Sequence, residues 1–141
     1  MNEAKPPSVL FVCVKNSGKS QMAAGLMRKL AGDAVLVYSA GTKPGEGINT
    51  LSAESLAEIE VDISGERPKP IDPNLLQNVD FVITIGREAK VQRAPGITVE
   101  NWDTDEPSER GIDGIERMRL VRDDIATRVA DLFSRIRAGA T

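Results

Sequence analysis

Two short stretches carry the residues that could do chemistry. The first is V-L-F-V-C-V-K-N-S-G-K-S-Q, Val9 to Gln21. An apolar run ends at Cys13, a polar loop follows, and Lys19 and Ser20 open a helix-forming run. A strand that turns tightly into a helix leaves backbone N–H groups without intrahelical partners, and the helix dipole adds partial positive charge. Such a loop binds oxyanions. The same field favours a thiolate over a thiol, and Lys19 adds a full charge. Cys13 is therefore the expected nucleophile, with Val14, Lys15, Asn16, Ser17, Gly18 and Lys19 as its oxyanion cradle. Gly18 is expected to take the positive φ of a tight loop. Asn16 is expected to brace it, and Ser20 to donate its hydroxyl to the thiolate.

The second stretch is W-D-T-D-E-P, Trp102 to Pro107. Displacement at an oxyanion centre needs a proton for the departing oxygen, and a carboxylic acid on a loop can supply it. Glu106, just before the proline, is the first choice for that acid, Asp105 the second and Asp103 the third. Trp102 would anchor the loop against the body. Plainer readings compete with both stretches. A lone cysteine is commonly a small buried hydrophobe, and acids beside proline make ordinary turns. C-V-K-N-S-G-K-S also matches the nucleotide-binding pattern G-x-x-x-x-G-K-[ST], except that Cys13 replaces the first glycine. The later apolar run Phe81 to Ile85 ends in Gly86, with no acid to hold magnesium.

Positioning these residues requires alternating strands and helices. Apolar runs at Val9 to Val12, Val35 to Ala40, Phe81 to Ile85 and Ile97 to Trp102 read as four strands. The first, continuously apolar, suits a parallel sheet buried on both faces. A helix from Gln21 to Ala31 would bury Met22, Ala23, Leu26, Met27 and Leu30, with Gly32 ending it. Asn49 caps a helix from Thr50 to about Glu60, and Asp72-Pro73 starts a short one ending near Asn78. The last helix carries Ile115, Met118, Val121, Ile125, Val129, Leu132 and Ile136 at spacings of three and four. Its arginines, Arg117, Arg119, Arg122, Arg128, Arg135 and Arg137, read as a solvated face. The pattern implies an α/β domain, a four-stranded parallel sheet flanked by helices with right-handed crossovers. Ligands bind such sheets beyond the carboxyl ends of the strands, at a topological switch point. Cys13 and the acid stretch fall on that same edge.

The composition narrows the class. The 141 residues suit one domain, with residues 1–8 read as a flexible tail and 9–141 as the domain. Net charge is −3 and the pI about 5.1, which argues against a general nucleic-acid binder. No apolar run approaches the roughly 20 residues of a membrane span, and the polar start is no signal peptide. One cysteine forms no internal disulfide, which suits a reducing cytoplasm. With no histidine, acid–base work falls to carboxylates, lysine or the thiol. No metal or bound cofactor is expected. Lys43, Lys69 and Arg87 are loop cations that border the expected site.

These stretches, with Y-S-A-G at 38–41, resemble the low-molecular-weight protein tyrosine phosphatase family over nearly the whole chain. The resemblance implies a flavodoxin-like topology, a nucleophilic cysteine separated by five residues from Arg-Ser, and an Asp-Pro on the acid loop. Here Lys19 replaces the arginine, a point charge in place of a two-pronged fork. The acid loop continues P-S-E-R, with no aromatic residue to flank a phenol. S-Q-M-A at Ser20 to Ala23 and Trp102 before the acid loop look like the arsenate reductase branch. Thioredoxin-linked members of that branch use two further cysteines after the third strand, where this chain reads I-G-R-E-A-K, Ile85 to Lys90. F-V-C-V, G-K-S-Q-M-A-A, S-A-G-T-K-P and E-R-M-R resemble the single-cysteine members that act as arsenate–mycothiol transferases. That likeness implies arsenate as substrate, mycothiol as co-substrate and a mycoredoxin downstream. The alternatives are a phosphatase of phosphomonoesters on the same scaffold and a non-catalytic oxyanion-binding module.

Overall fold

Strand β1, Ser8–Cys13, is the spine of the sheet, and all six of its residues are buried. The computed structural model describes residues 5–92 and 95–139. β1 lies between β2, Leu36–Gly41, and β3, Phe81–Ile85, and β4, Thr98–Trp102, closes the other edge, giving the order β2-β1-β3-β4. Every pairing is parallel. The connection after β1 runs to one side of it and β3 lies on the other, so the switch point falls at the carboxyl end of β1, where Cys13 stands.

Alternation along β1 feeds two cores. Val9, Phe11 and Cys13 face the layer of α1, Lys19–Ala31, and α4, Gly114–Gly139. Leu10 and Val12 face the opposite side with Val79, Val82 and, half-buried, Leu75 and Leu76, around α3, Pro73–Asn78. A strand buried on both faces has no polar positions to spare, hence its unbroken apolar run. α4 buries Met118, Val121, Ile125, Val129, Leu132 and Ile136, the predicted stripe, with Ile115 half-buried at its start. α2, Thr50–Ala57, starts from Asn49, whose side chain accepts a hydrogen bond from Ser52 N at 2.9 Å. Asp72 caps α3 in the same way, with Pro73 in its first turn.

Several boundaries differ from the sequence reading. The boundary expected after residue 8 moves: Ser8 already belongs to β1, and Pro7 O accepts from Leu36 N at 2.8 Å; residues 1–4 of the expected tail lie outside the described residues. α1 begins at Lys19, so Lys19 and Ser20 are its first turn. Leu30 is 48% exposed, and the burial of α1 is concentrated in its first turns, where Ser20 to Met27 are all buried. α2 stops at Ala57, and Glu60 has φ 63°. The arginines of α4 are not a free solvated face. Arg119 and Arg122 hold Glu58, Arg135 holds Glu100, and Arg137 lies over the Phe133 ring.

Candidate active site

The loop after β1 is fastened by its carbonyls. Cys13 O accepts from Thr42 N, Val14 O from Lys43 N, Lys15 O from Gly45 N and Ser17 O from Asn49 N, at 2.7–3.1 Å. Asn16 O accepts from Gln21 Nε2 at 3.2 Å, and Gly18 O from Met22 N at 2.9 Å. With each carbonyl drawn outward or into the helix, the amides are left to line the cradle, which is how such loops meet anions. Residues 42–49 run alongside as a backing strap. At Gly41 an added Cβ would stand 2.7 Å from Val14 O and 3.0 Å from Asn16 N, so the strap can lie this close only without a side chain there.

The conformational strain of the loop sits on Asn16, at φ 55°, and not on Gly18, whose φ is −134°. This corrects the expectation for Gly18. Asn16 is fully buried, and asparagine tolerates the left-handed region better than other side-chain-bearing residues. Its Oδ1 accepts from Lys69 N and from Gln21 Nε2, both at 3.1 Å, and its Nδ2 donates to Ser20 Oγ at 2.7 Å. Because Ser20 Oγ accepts that bond, its own hydrogen is free for Cys13 Sγ, 2.9 Å away. Asn16 N also donates to Sγ at 3.2 Å. Cys13 is 8% exposed at the base of the cleft, and its sulfur thus has two donors aimed at it. Lys69 completes the backing: its Nζ donates to Ser39 Oγ at 3.2 Å, and burial lowers its pKa. It buttresses the loop and does not border the cleft.

A cleft of about 750 Å³ opens above Cys13. Its walls are Val14 and Lys19, residues 85–89 after β3, and residues 103–106 after β4. Trp102 anchors the acid loop as expected, 3% exposed, with its ring 5.7 Å from Phe11 and its Nε1 donating to Glu100 at 2.6 Å. Asn101 Nδ2 donates to Thr84 Oγ1 and Gly86 O, tying the wall after β3 to β4. Arg87 borders the cleft and pairs with Asp103. Lys43 contributes its backbone to the strap.

Glu106 lines the cleft, but in a form other than the expected proton donor. Arg117 of α4 grips its carboxylate twice, Nε to Oε2 at 2.7 Å and Nη2 to Oε1 at 2.8 Å. Ser108 adds N and Oγ donors to Oε2, and Lys19 Nζ lies 3.8 Å from Oε1. The Arg117 hydrogen bonds, with those of Ser108, hold its pKa near 2, so at neutral pH it is an ion. Asp105 is likewise held low by a pair of hydrogen bonds from Arg110. The first and second choices for the acid are therefore carboxylates in this arrangement. A short 3-10 helix, Pro107–Arg110, follows them and was not anticipated.

The sequence reading missed Gln21, Gly41, Gly45, Asn49 and Lys69 as supports of the loop, and Arg117 as the partner of Glu106. Gly41 directly follows an apolar strand, which is a readable signal for close approach. Nothing distinguishes Arg117 among the arginines of α4 until the acid loop is folded over it. Among the described residues no group of three or more His, Cys, Asp or Glu is placed to hold a metal ion, and no helix is long and apolar enough to cross a membrane.

Residues 8–140 match the family described as low molecular weight phosphotyrosine protein phosphatase. The chain belongs to this family. Its relatives include an arsenate reductase of Staphylococcus epidermidis, 33% identical over 91% of this chain and 97% of that one. An arsenate reductase of Bacillus licheniformis is 35% identical over 86% of this chain and 91% of its own length. Among solved structures, a thioredoxin-dependent arsenate reductase of Corynebacterium glutamicum superposes with a TM-score of 0.82 at 34% identity; 96% of this chain is covered, and the match spans 64% of that longer chain. A structure described as an arsenate reductase in the phosphate binding state superposes at 0.78, with 29% identity, covering 92% of this chain and 98% of that one.

Proposed function

We propose that this member of the family is an arsenate reductase working as an arsenate–mycothiol transferase. The observation that carries the enzymatic reading is the sulfur of Cys13, held by Ser20 and Asn16 at the mouth of an amide-lined loop. Relatives that bear the arsenate reductase name over nearly their full length support arsenate as the substrate. The need for an outside thiol rests on Cys13 being the single cysteine of the 141 residues. A free thiol of this kind suits a reducing cytoplasm.

Arsenate enters the loop of residues 14–19, where Lys19 balances its charge. Cys13 thiolate attacks the arsenic of dihydrogen arsenate; the S–As bond forms, an As–O bond breaks, and the oxygen leaves as water, keeping its own proton and taking a second from the other arsenate hydroxyl by way of the acid-loop carboxylates Asp105 and Glu106. Arsenic remains pentavalent. Mycothiol sulfur then attacks arsenic, the bond to Cys13 breaks, and the mycothiol proton replaces it on Cys13. A mycoredoxin thiol attacks the mycothiol sulfur of the adduct; the two sulfurs become a disulfide, and arsenic takes the electron pair and departs as arsenite.

Two measurements test this reading. The first supplies arsenate, mycothiol, mycoredoxin, its reductase and NADPH, beside a thioredoxin arm and a phenyl phosphate assay. Arsenate-dependent NADPH oxidation with mycothiol is expected. Oxidation in the thioredoxin arm alone contradicts the mycothiol step, hydrolysis alone makes the protein a phosphatase, and silence throughout makes it an oxyanion binder. The second compares Glu106→Gln with Asp105→Asn: loss of roughly 10²-fold in transfer is expected of a carboxylate that handles the leaving oxygen. Full rates in both across pH would make the loop structural.

A further inference from the structure

The cleft that holds the oxyanion loop is lined by more negative charge than positive. Glu88, Asp103, Asp105, Glu106, Glu109 and Asp124 face it, against Lys19, Arg87 and Arg128. Several of these acids are neutralised by arginines on their own side: Asp103 by Arg87, Asp105 by Arg110, Asp124 by Arg128. Glu106 differs, because it also shares Lys19, the cation of the cradle itself, at 3.8 Å. An anion site flanked by a fixed carboxylate repels any anion that has only acceptor oxygens. It welcomes one that still carries an acidic hydroxyl, since a hydroxyl donates to a carboxylate in a strong, charge-assisted bond.

The donors around Glu106 leave room for that bond. Oε2 is occupied by Arg117 Nε, Ser108 Oγ and Ser108 N. Oε1 takes one hydrogen bond, from Arg117 Nη2, and a carboxylate oxygen accepts about two. Its remaining acceptor position lies on the side of Lys19. The two-pronged grip of Arg117 keeps the carboxylate from rotating this oxygen away.

We propose that Glu106 is the specificity-determining residue of the oxyanion site: its Oε1 accepts a hydrogen bond from the hydroxyl of a protonated tetrahedral oxyanion seated in the loop of residues 14–19, with Arg117 as its positioning residue. Arsenate and phosphate carry such a hydroxyl at neutral pH; sulfate carries none. Glu106 is thereby a reader of the substrate's proton, and that proton lies beside the oxygen that departs. The proposal rests on the loop being an oxyanion site and is independent of which thiol completes the reaction.

Calorimetric titration of the wild-type protein with sodium phosphate and with sodium sulfate at pH 7 tests it. Wild type is expected to prefer phosphate by about tenfold or more. In Glu106→Gln and Glu106→Ala, near-ultraviolet circular dichroism reporting the fold, removing a charge raises affinity for any anion, so the ratio is the readout. That ratio is expected to fall to about threefold or less in both, with sulfate gaining most. An unchanged ratio in the folded variants, or equal binding of both anions by wild type, overturns the proposal. No phosphate binding to wild type overturns it together with the oxyanion site. Failure of arsenate turnover with the phosphate preference intact overturns the arsenate reading alone.

Discussion

Cys13 Sγ has Ser20 Oγ at 2.9 Å and Asn16 N at 3.2 Å, and both contacts depend on one buried side chain. Asn16 orients Ser20, holds Lys69 N and Gln21, and takes the loop's positive φ. Asn16→Ala removes these bonds while keeping a side chain in the left-handed region. It is expected to destabilise by about 2–4 kcal/mol, read by urea unfolding, and to weaken phosphate binding in the fraction that stays folded. Glu106 gives a prediction with a sign. Its folded pKa, near 2, lies below the ordinary 4.5, so its pairing stabilises the fold above about pH 4.5, and that contribution is lost as pH falls toward 2. After solvent screening it amounts to about 1 kcal/mol. Arg117→Met is expected to be less stable than wild type by that margin at pH 6, and the gap should narrow as urea titrations pass below pH 4.5 and close only toward pH 2. A gap independent of pH would mean that Arg117 acts through packing alone.

At the level of elements, the oxyanion loop is shaped as much by the strap of residues 42–49 as by its own residues. Gly41→Ala places a methyl 2.7 Å from Val14 O, a backbone atom with no freedom to move aside. A cost of about 1–3 kcal/mol in stability is expected, together with loss of phosphate binding, checked by calorimetry on the folded protein. Gly25→Ala makes a useful contrast: its Cβ meets Ile63 Cγ2 at 2.8 Å, so it should disturb the core between α1 and residues 61–63 without touching the loop. What could be read in the sequence divides along the same line. Strands, helix caps at Asn49 and Asp72, and the nucleophile–loop–helix unit follow from local pattern, because each is set by neighbours a few residues away. The role of Gly41, the grip of Arg117 on Glu106 and the ionised state of the acid loop are contacts between distant segments. Local pattern also misplaced the positive φ, because Gly18 is the permissive residue while Asn16 is the one fastened by long-range bonds. Leu30 continues the apolar spacing of α1 but stands 48% exposed in its last turn, which spacing alone does not reveal.

Across the whole molecule, the parallel order β2-β1-β3-β4 brings three loops to one edge. Burial of β1 on both faces and of the α4 stripe holds that edge in place. Leu132, fully buried on the inner face of α4, is not among the residues that line the cleft. Leu132→Ala is expected to cost about 2–5 kcal/mol while the folded protein keeps its anion preference, which separates scaffold from site. The proposed function rests on Lys19 standing where the resemblance implies an arginine and on the single cysteine of the sequence. The most direct test omits mycoredoxin. Arsenate and mycothiol are incubated with wild type and with Cys13→Ser, and the small-molecule products are weighed by mass spectrometry. Transfer through Cys13 is expected to give an arseno-mycothiol adduct that accumulates with time in wild type and stays at the uncatalysed level in Cys13→Ser. Equal accumulation in the two proteins, or none above background in wild type, would contradict it.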